Sequence, residues 1–180
     1  MKKTAVLLAD GFEEIEALTV VDIMRRANVQ CDMISIKNIE VVGAHNIKVT
    51  SDKILDNTIN GYDLLVLPGG MPGTTNLQKD KNVIQVVKKF NEEGKLVAAI
   101  CAAPIVLAEA GIITGKKITS YPGFEDELKG CDYKEERVVV DGNIITSRGP
   151  ATAMEFAYKL LEVLKNENYN DLKKGMLYNN

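Results

Sequence analysis

Basic clusters are scarce in this sequence: no run of Lys or Arg is longer than a pair, and the net charge is -3. Proteins that grip a phosphate backbone carry a basic stripe, so nucleic acid is excluded as a partner class. Long apolar runs are missing as well. None approaches the ~20 residues needed to span a membrane. The short run after Lys2 and Lys3 meets Asp10, Glu13 and Glu14 at once, which does not make a secretory signal core. Cys31, Cys101 and Cys131 are an odd number with no CxxC spacing, so neither a disulfide framework nor a zinc site is indicated. A reducing, cytoplasmic setting is expected. No GxGxxG follows a strand and no Gly-Lys-Ser/Thr closes a P-loop. Histidine occurs once, as His45. A Cys-His hydrolase needs an imidazole beside its thiol, so a lone histidine in a loop far from the candidate cysteine gives a hydrolytic triad within one chain poor support.

What is present is 180 residues, 46% hydrophobic and 26% charged, the balance of one well-buried globular domain. Ala5–Ala9, Leu64–Leu67 and Leu96–Ile100 are short unbroken apolar runs, as expected for strands buried on both faces of a parallel sheet. Helical patterns at about 14–27, 81–91 and 103–110 alternate with them, so an α/β three-layer sandwich is predicted. A further strand is expected over 29–36, and Val41–Thr50 around Gly43-Ala44-His45-Asn46 reads as an inserted hairpin. Asp141-Gly142 between two apolar runs predicts a second hairpin, Pro150 opens a helix to about Leu164, and a short last helix is expected around 171–176.

Chemistry concentrates where Lys95–Ile100 turns into Cys101-Ala102-Ala103-Pro104. A thiol on such a bend leaves the carboxyl end of the sheet at a helix amino terminus, where the helix dipole favours the thiolate. Small neighbours give room for the bend, and free amides of the first turn can bind a developing oxyanion. Cys31 and Cys131 have no such setting. Projected at about 100° per residue, Ala17, Val20, Val21, Ile23, Met24 and Ala27 share one side of the first helix, with Thr19, Asp22, Arg25 and Arg26 opposite. Glu16 falls within the apolar side. Burial raises a carboxyl pKa, so Glu16 is either a protonated partner for a thiolate or a first-turn acid that reaches water. Glu13 and Glu14 read as cap and surface residues. Gly69 and Gly70 follow a buried strand and allow close backbone approach to a ligand or to the cysteine bend, or make an ordinary turn.

Ala9-Asp10-Gly11-Phe12-Glu13-Glu14-Ile15-Glu16, Val21–Ala27, Val66-Leu67-Pro68-Gly69-Gly70, Ala98–Pro104 and Thr146-Ser147-Arg148-Gly149-Pro150 together resemble the ThiJ/PfpI superfamily, in its Parkinsonism-associated deglycase branch. The resemblance runs nearly end to end. It implies a flavodoxin-like sandwich, commonly dimeric, with Cys101 as nucleophile and Glu16 as its protonated partner. The amides of Gly70, Cys101 and Ala102 are implied as the oxyanion site. Tyr121 stands where many relatives carry a histidine, and a phenol is a poor base at neutral pH. Ala102 stands where the peptidase-like branch has a histidine, which argues against a protease. His45 matches a position near the partner subunit's site.

The expected activity is therefore that of a cysteine enzyme acting on 2-oxoaldehydes such as methylglyoxal, or on glycated protein carrying their early adducts. It needs no metal and no organic cofactor. The alternative is a redox-responsive stress protein or chaperone that uses oxidation of the same thiol. A homodimer through the first helix is expected, with no membrane partner.

Overall fold

The computed structural model of the protein describes residues 2–178. In chain order the elements are β1 (Lys3–Leu8), α1 (Glu14–Arg26), β2 (Gln30–Ser35), β3 (Glu40–Val42), β4 (Lys48–Thr50), β5 (Lys53–Ile54), β6 (Leu64–Leu67), α2 (Gly73–Lys79), α3 (Lys81–Glu92) and β7 (Leu96–Ile100). There follow α4 (Pro104–Glu109), β8 (Lys117–Ile118), β9 (Asp132–Tyr133), β10 (Val138–Asp141), β11 (Ile144–Ser147), α5 (Ala153–Val163) and α6 (Tyr169–Gly175). The main sheet has seven strands in the order β10-β11-β7-β6-β1-β2-β5. All neighbours are parallel except the β10–β11 hairpin. This is a flavodoxin-like α/β fold.

Strand alternation builds the layers. Val6, Leu8, Leu64, Val66, Ala98 and Ile100 face one core with Val20, Ile23, Phe156 and Leu161 of α1 and α5. Ala5, Leu7, Leu65, Leu67, Val97 and Ala99 face the other, with Val83, Val87 and Phe90 of α3 and Val106 of α4. Because successive side chains point to opposite faces, an unbroken apolar strand fills both cores. Asp80 fixes the start of α3 by accepting hydrogen bonds from the amides of Asn82 (2.8 Å) and Val83 (3.3 Å).

Both predicted hairpins form, β3–β4 and β10–β11. Three features differ from the sequence reading. The chain after Pro150 first makes a 3-10 turn over Pro150–Thr152, and α5 begins only at Ala153. Helix α2 was not anticipated, because GTTNLQK is short and carries one large buried apolar residue, Leu77. The apolar side of α1, taken as a docking face for a second subunit, is spent inside the chain's own core. Ala17, Val20, Val21, Ile23 and Met24 are all buried against α5 and the sheet.

Phe90 closes the α3 side of the sheet with no exposure and lies 5.2 Å beneath the Lys95 ammonium. Phe90→Ala should cost about 3–5 kcal/mol, read as a lower midpoint in urea unfolding with an unchanged m-value.

Candidate active site

The sheet's strand order reverses between β6 and β1, and the loops after these strands meet at the carboxyl edge, where open α/β sheets place their ligands. The two loops interlock through backbone. The Glu13 amide donates to the Gly69 carbonyl at 2.8 Å, and the Gly73 amide to the Gly11 carbonyl at 3.2 Å. Gly70 has a φ of +90° and lies against the Glu13 amide and Gly11 carbonyl, so a side chain there would meet both backbone strain and a collision. The interlock delivers the first turns of α1, and with them Glu16, to the end of β7.

Cys101 follows β7 directly and has a φ of +65°, a left-handed conformation that costs a non-glycine residue about 1–3 kcal/mol. Three backbone contacts hold it there. Its amide donates to the Ser147 carbonyl at 3.0 Å at the end of β11, its carbonyl accepts from the Tyr121 amide at 2.9 Å, and the Ala103 amide returns to Ile100 at 3.1 Å. The thiol is half-buried.

The amides of Gly70 and Ala102 point at the Cys101 sulfur. Neither donates to a backbone carbonyl among the described residues, so both are free for negative charge on sulfur or on an attached oxygen. The amide of Cys101 itself is not. Its bond to Ser147 removes it from the three-donor set that the family resemblance implied.

Glu16 is completely buried. Its Oε2 accepts the Gly69 amide at 2.8 Å, whereas Oε1 has no hydrogen-bond partner among the described residues. Burial is the main reason its carboxyl is pushed up to about 7, against the lowering effects of the Gly69 amide and the Cys101 thiol. A buried oxygen with no donor is a natural place for a proton. The helix projection therefore located Glu16 correctly on the buried side of α1, and the carboxyl does not reach water as a first-turn acid would.

The expected acidic thiol is not what the structure gives. Burial, then the charge of Glu16, pushes the Cys101 thiol up to about 12, with the two amides pulling the other way. Burial likewise pushes Cys31 to about 12. The helix dipole offers Cys101 little help, because α4 starts three residues later at Pro104 and is only six residues long. The Glu16 carboxyl and the half-buried Cys101 thiol are therefore neighbours, and burial pushes the pKa of each upward.

Tyr121 reaches the site through its backbone. Its side chain is 48% exposed, the ring packs over Gly149, and its hydroxyl makes no hydrogen bond among the described residues. His45 meets Glu14 and Glu13 of its own chain at 2.8 and 3.8 Å. Glu13 and Glu14 are themselves nearly buried, at 9% and 4% exposure, and not the surface residues their position suggested. Ser147 was overlooked. It carried no side-chain signal, since its contribution to the cysteine is a carbonyl, while its hydroxyl bonds Thr152 at 2.6 Å and Arg137 at 2.7 Å.

Comparison with known proteins now decides the family, since the DJ-1/PfpI family matches residues 2–163. The chain belongs to the DJ-1/PfpI family. It is 41% identical over 167 residues to Protein DJ-1 homolog B of Arabidopsis thaliana, covering 91% of this chain and 38% of that protein's length. To Protein dj-1beta of Drosophila melanogaster it is 38% identical over 98% of this chain and 97% of that one. Among solved structures, oxidized Toxoplasma gondii DJ-1 superposes with a TM-score of 0.94 at 36% identity, covering all of both chains. The chain spans well under half of the plant relative and nearly all of the insect one.

Gly69 lies between the Cys101 side chain and the Glu16 carboxyl in this DJ-1/PfpI chain. A Cβ there would lie 2.6 Å from Cys101 Cβ and 2.7 Å from Glu16 Oε2, whereas one at Gly61 would meet nothing within 4 Å. Gly69→Ala should destabilise by about 1–3 kcal/mol, and Gly61→Ala should stay within about 0.5 kcal/mol. Chemical denaturation of the two variants side by side checks both.

Proposed function

We propose that this chain is a cofactor-independent cysteine enzyme of the glyoxalase or deglycase type, acting on 2-oxoaldehydes such as methylglyoxal or on their early adducts with protein amines and thiols. The observation that carries the reading is the pairing of Cys101 with the buried, half-satisfied carboxyl of Glu16 under two free amides. Its setting is the cytoplasm. Among the described residues no helix is long and apolar enough to cross a membrane.

In the proposed reaction ionised Glu16 takes the thiol proton as sulfur bonds the aldehyde carbon, and the Gly70 and Ala102 amides hold the resulting oxyanion. Protonation gives a hemithioacetal. Glu16 then removes the hydrogen from that carbon and returns a proton to the neighbouring carbonyl carbon, while the hemithioacetal hydroxyl gives up its proton and the neighbouring oxygen gains one, so one carbon is oxidised as the other is reduced. The product is a 2-hydroxy thioester. Water cleaves its C–S bond, releasing a 2-hydroxy acid and regenerating the thiol. No outside oxidant or reductant is consumed. Tyr121, at the rim, is assigned to substrate contact and not to proton transfer.

A second reading is favoured by one comparison: a solved relative is described as Toxoplasma gondii DJ-1, oxidized. In this chain a Cys101 sulfinate would find the Gly70 and Ala102 amides and a protonated Glu16 as donors, the arrangement an oxidation sensor needs. The homodimer belongs to the proposal too. Its support is Ile15 on α1 and Ile47 on the β3–β4 hairpin, 56% and 51% exposed, where the buried stripe of α1 cannot serve.

With methylglyoxal as substrate and the 2-hydroxy acid identified, Cys101→Ala should abolish turnover. Glu16→Gln should lower it about a hundredfold or more, and Tyr121→Phe should cost far less. Near-normal turnover by Glu16→Gln would remove the carboxyl from the mechanism, and no turnover by the wild type would favour the redox reading. Light scattering should return twice the 19.8 kDa chain mass, and Ile15→Glu should shift it toward the monomer.

A further inference from the structure

The β3–β4 hairpin is docked on the loop between β1 and α1 by three hydrogen bonds: the Gly11 amide to the Val42 carbonyl (2.7 Å), the Ala44 amide to the Phe12 carbonyl (2.8 Å), and the Val42 amide to Asp10 Oδ1 (3.0 Å). The docking brings the only histidine against two adjacent carboxylates. Glu14 Oε1 accepts the His45 amide at 2.7 Å, which anchors that oxygen to the hairpin and turns Oε2 toward the imidazole. His45 Nδ1 lies 2.8 Å from Glu14 Oε2 and 3.8 Å from Glu13 Oε2. One donor atom from each of the three residues falls within 4.8 Å of the others.

The cluster has the traits of a built site. Both carboxyl side chains are held almost out of water, at 12% and 6% exposure, while the imidazole is 66% exposed and open on one side. Gly43 completes the seat. A Cβ there would collide with the Glu14 carboxylate, and its backbone is not in the left-handed region, so the missing side chain makes room for the carboxylate.

We propose that Glu13, Glu14 and His45 bind a first-row divalent cation through one oxygen of each carboxylate and the imidazole Nδ1, with water filling the open side. The charges suit such an ion. Two carboxylates and a neutral imidazole balance a dication. Two oxygens and one nitrogen favour borderline transition ions over Ca²⁺, which prefers six to eight oxygens. The site uses none of the groups assigned to turnover, so it stands or falls independently of the proposed activity.

Co²⁺ is the probe, because its visible spectrum separates oxygen and nitrogen ligation from thiolate ligation. Titration of the purified full chain should show one Co²⁺ bound without a thiolate charge-transfer band. His45→Ala, an exposed substitution that leaves the fold intact by circular dichroism, should weaken binding at least about tenfold, the scale on which disturbing a metal's surroundings lowers affinity. Gly43→Ala should weaken it similarly while keeping all three ligands, and Cys101→Ala should leave it unchanged. No Co²⁺ uptake by the wild type, a thiolate band lost with Cys101→Ala, or full affinity in folded His45→Ala would each overturn the site.

Discussion

The structure around the candidate site depends on one interaction, the burial of the Glu16 carboxyl beneath the Gly69 amide. A carboxyl with no exposure and one unsatisfied oxygen is expensive to keep charged, and the fold compensates with one backbone donor and a thiol neighbour. To reach that place α1 must begin at the carboxyl edge of β1. The loop before it must also lie flat on the loop after β6, which is possible because Gly11, Gly70 and Gly73 have no side chains at the contact. Cys101 is held in a strained conformation against the same carboxyl by Ser147 and Tyr121, from two other parts of the chain. Five separate segments of the chain thereby converge on the Glu16 carboxyl and the Cys101 thiol.

Much of this was legible in the sequence. Unbroken apolar strands announced a sheet covered on both faces, and Asp141-Gly142 announced its antiparallel edge. The helix projection put Glu16 on the buried side of α1, where it lies, because a 3.6-residue period leaves no ambiguity about which face an acid shares. The less legible parts have physical causes. Helix α2 has almost no apolar periodicity and takes its place from the glycine contact before it. The high thiol pKa was misjudged because a sequence shows that a helix follows a cysteine but not that two further turn residues intervene before it, nor that a buried carboxyl lies beside the sulfur. Glu13 and Glu14 looked like solvated cap residues, since their burial comes from a hairpin nearly thirty residues further along, and no local pattern encodes that docking.

The wide apolar stripe of α1 carries a similar lesson. Periodicity reports that a face is buried, and it does not report by what. Here α5, at the far end of the chain, covers it, so the stripe belongs to the monomer's own core. The large apolar side chains that α1 and the hairpin leave exposed are Ile15 and Ile47.

The two donors aimed at the Cys101 sulfur are main-chain amides, at Gly70 and Ala102, and a point substitution cannot delete an amide unless it introduces proline. Charge stabilisation at this thiol is therefore carried by the path of the backbone and is shielded from ordinary sequence drift, whereas exposed Tyr121 can change freely. Divergence among proteins sharing this frame should run along the rim, altering which molecules are admitted while the means of holding their charge stays fixed.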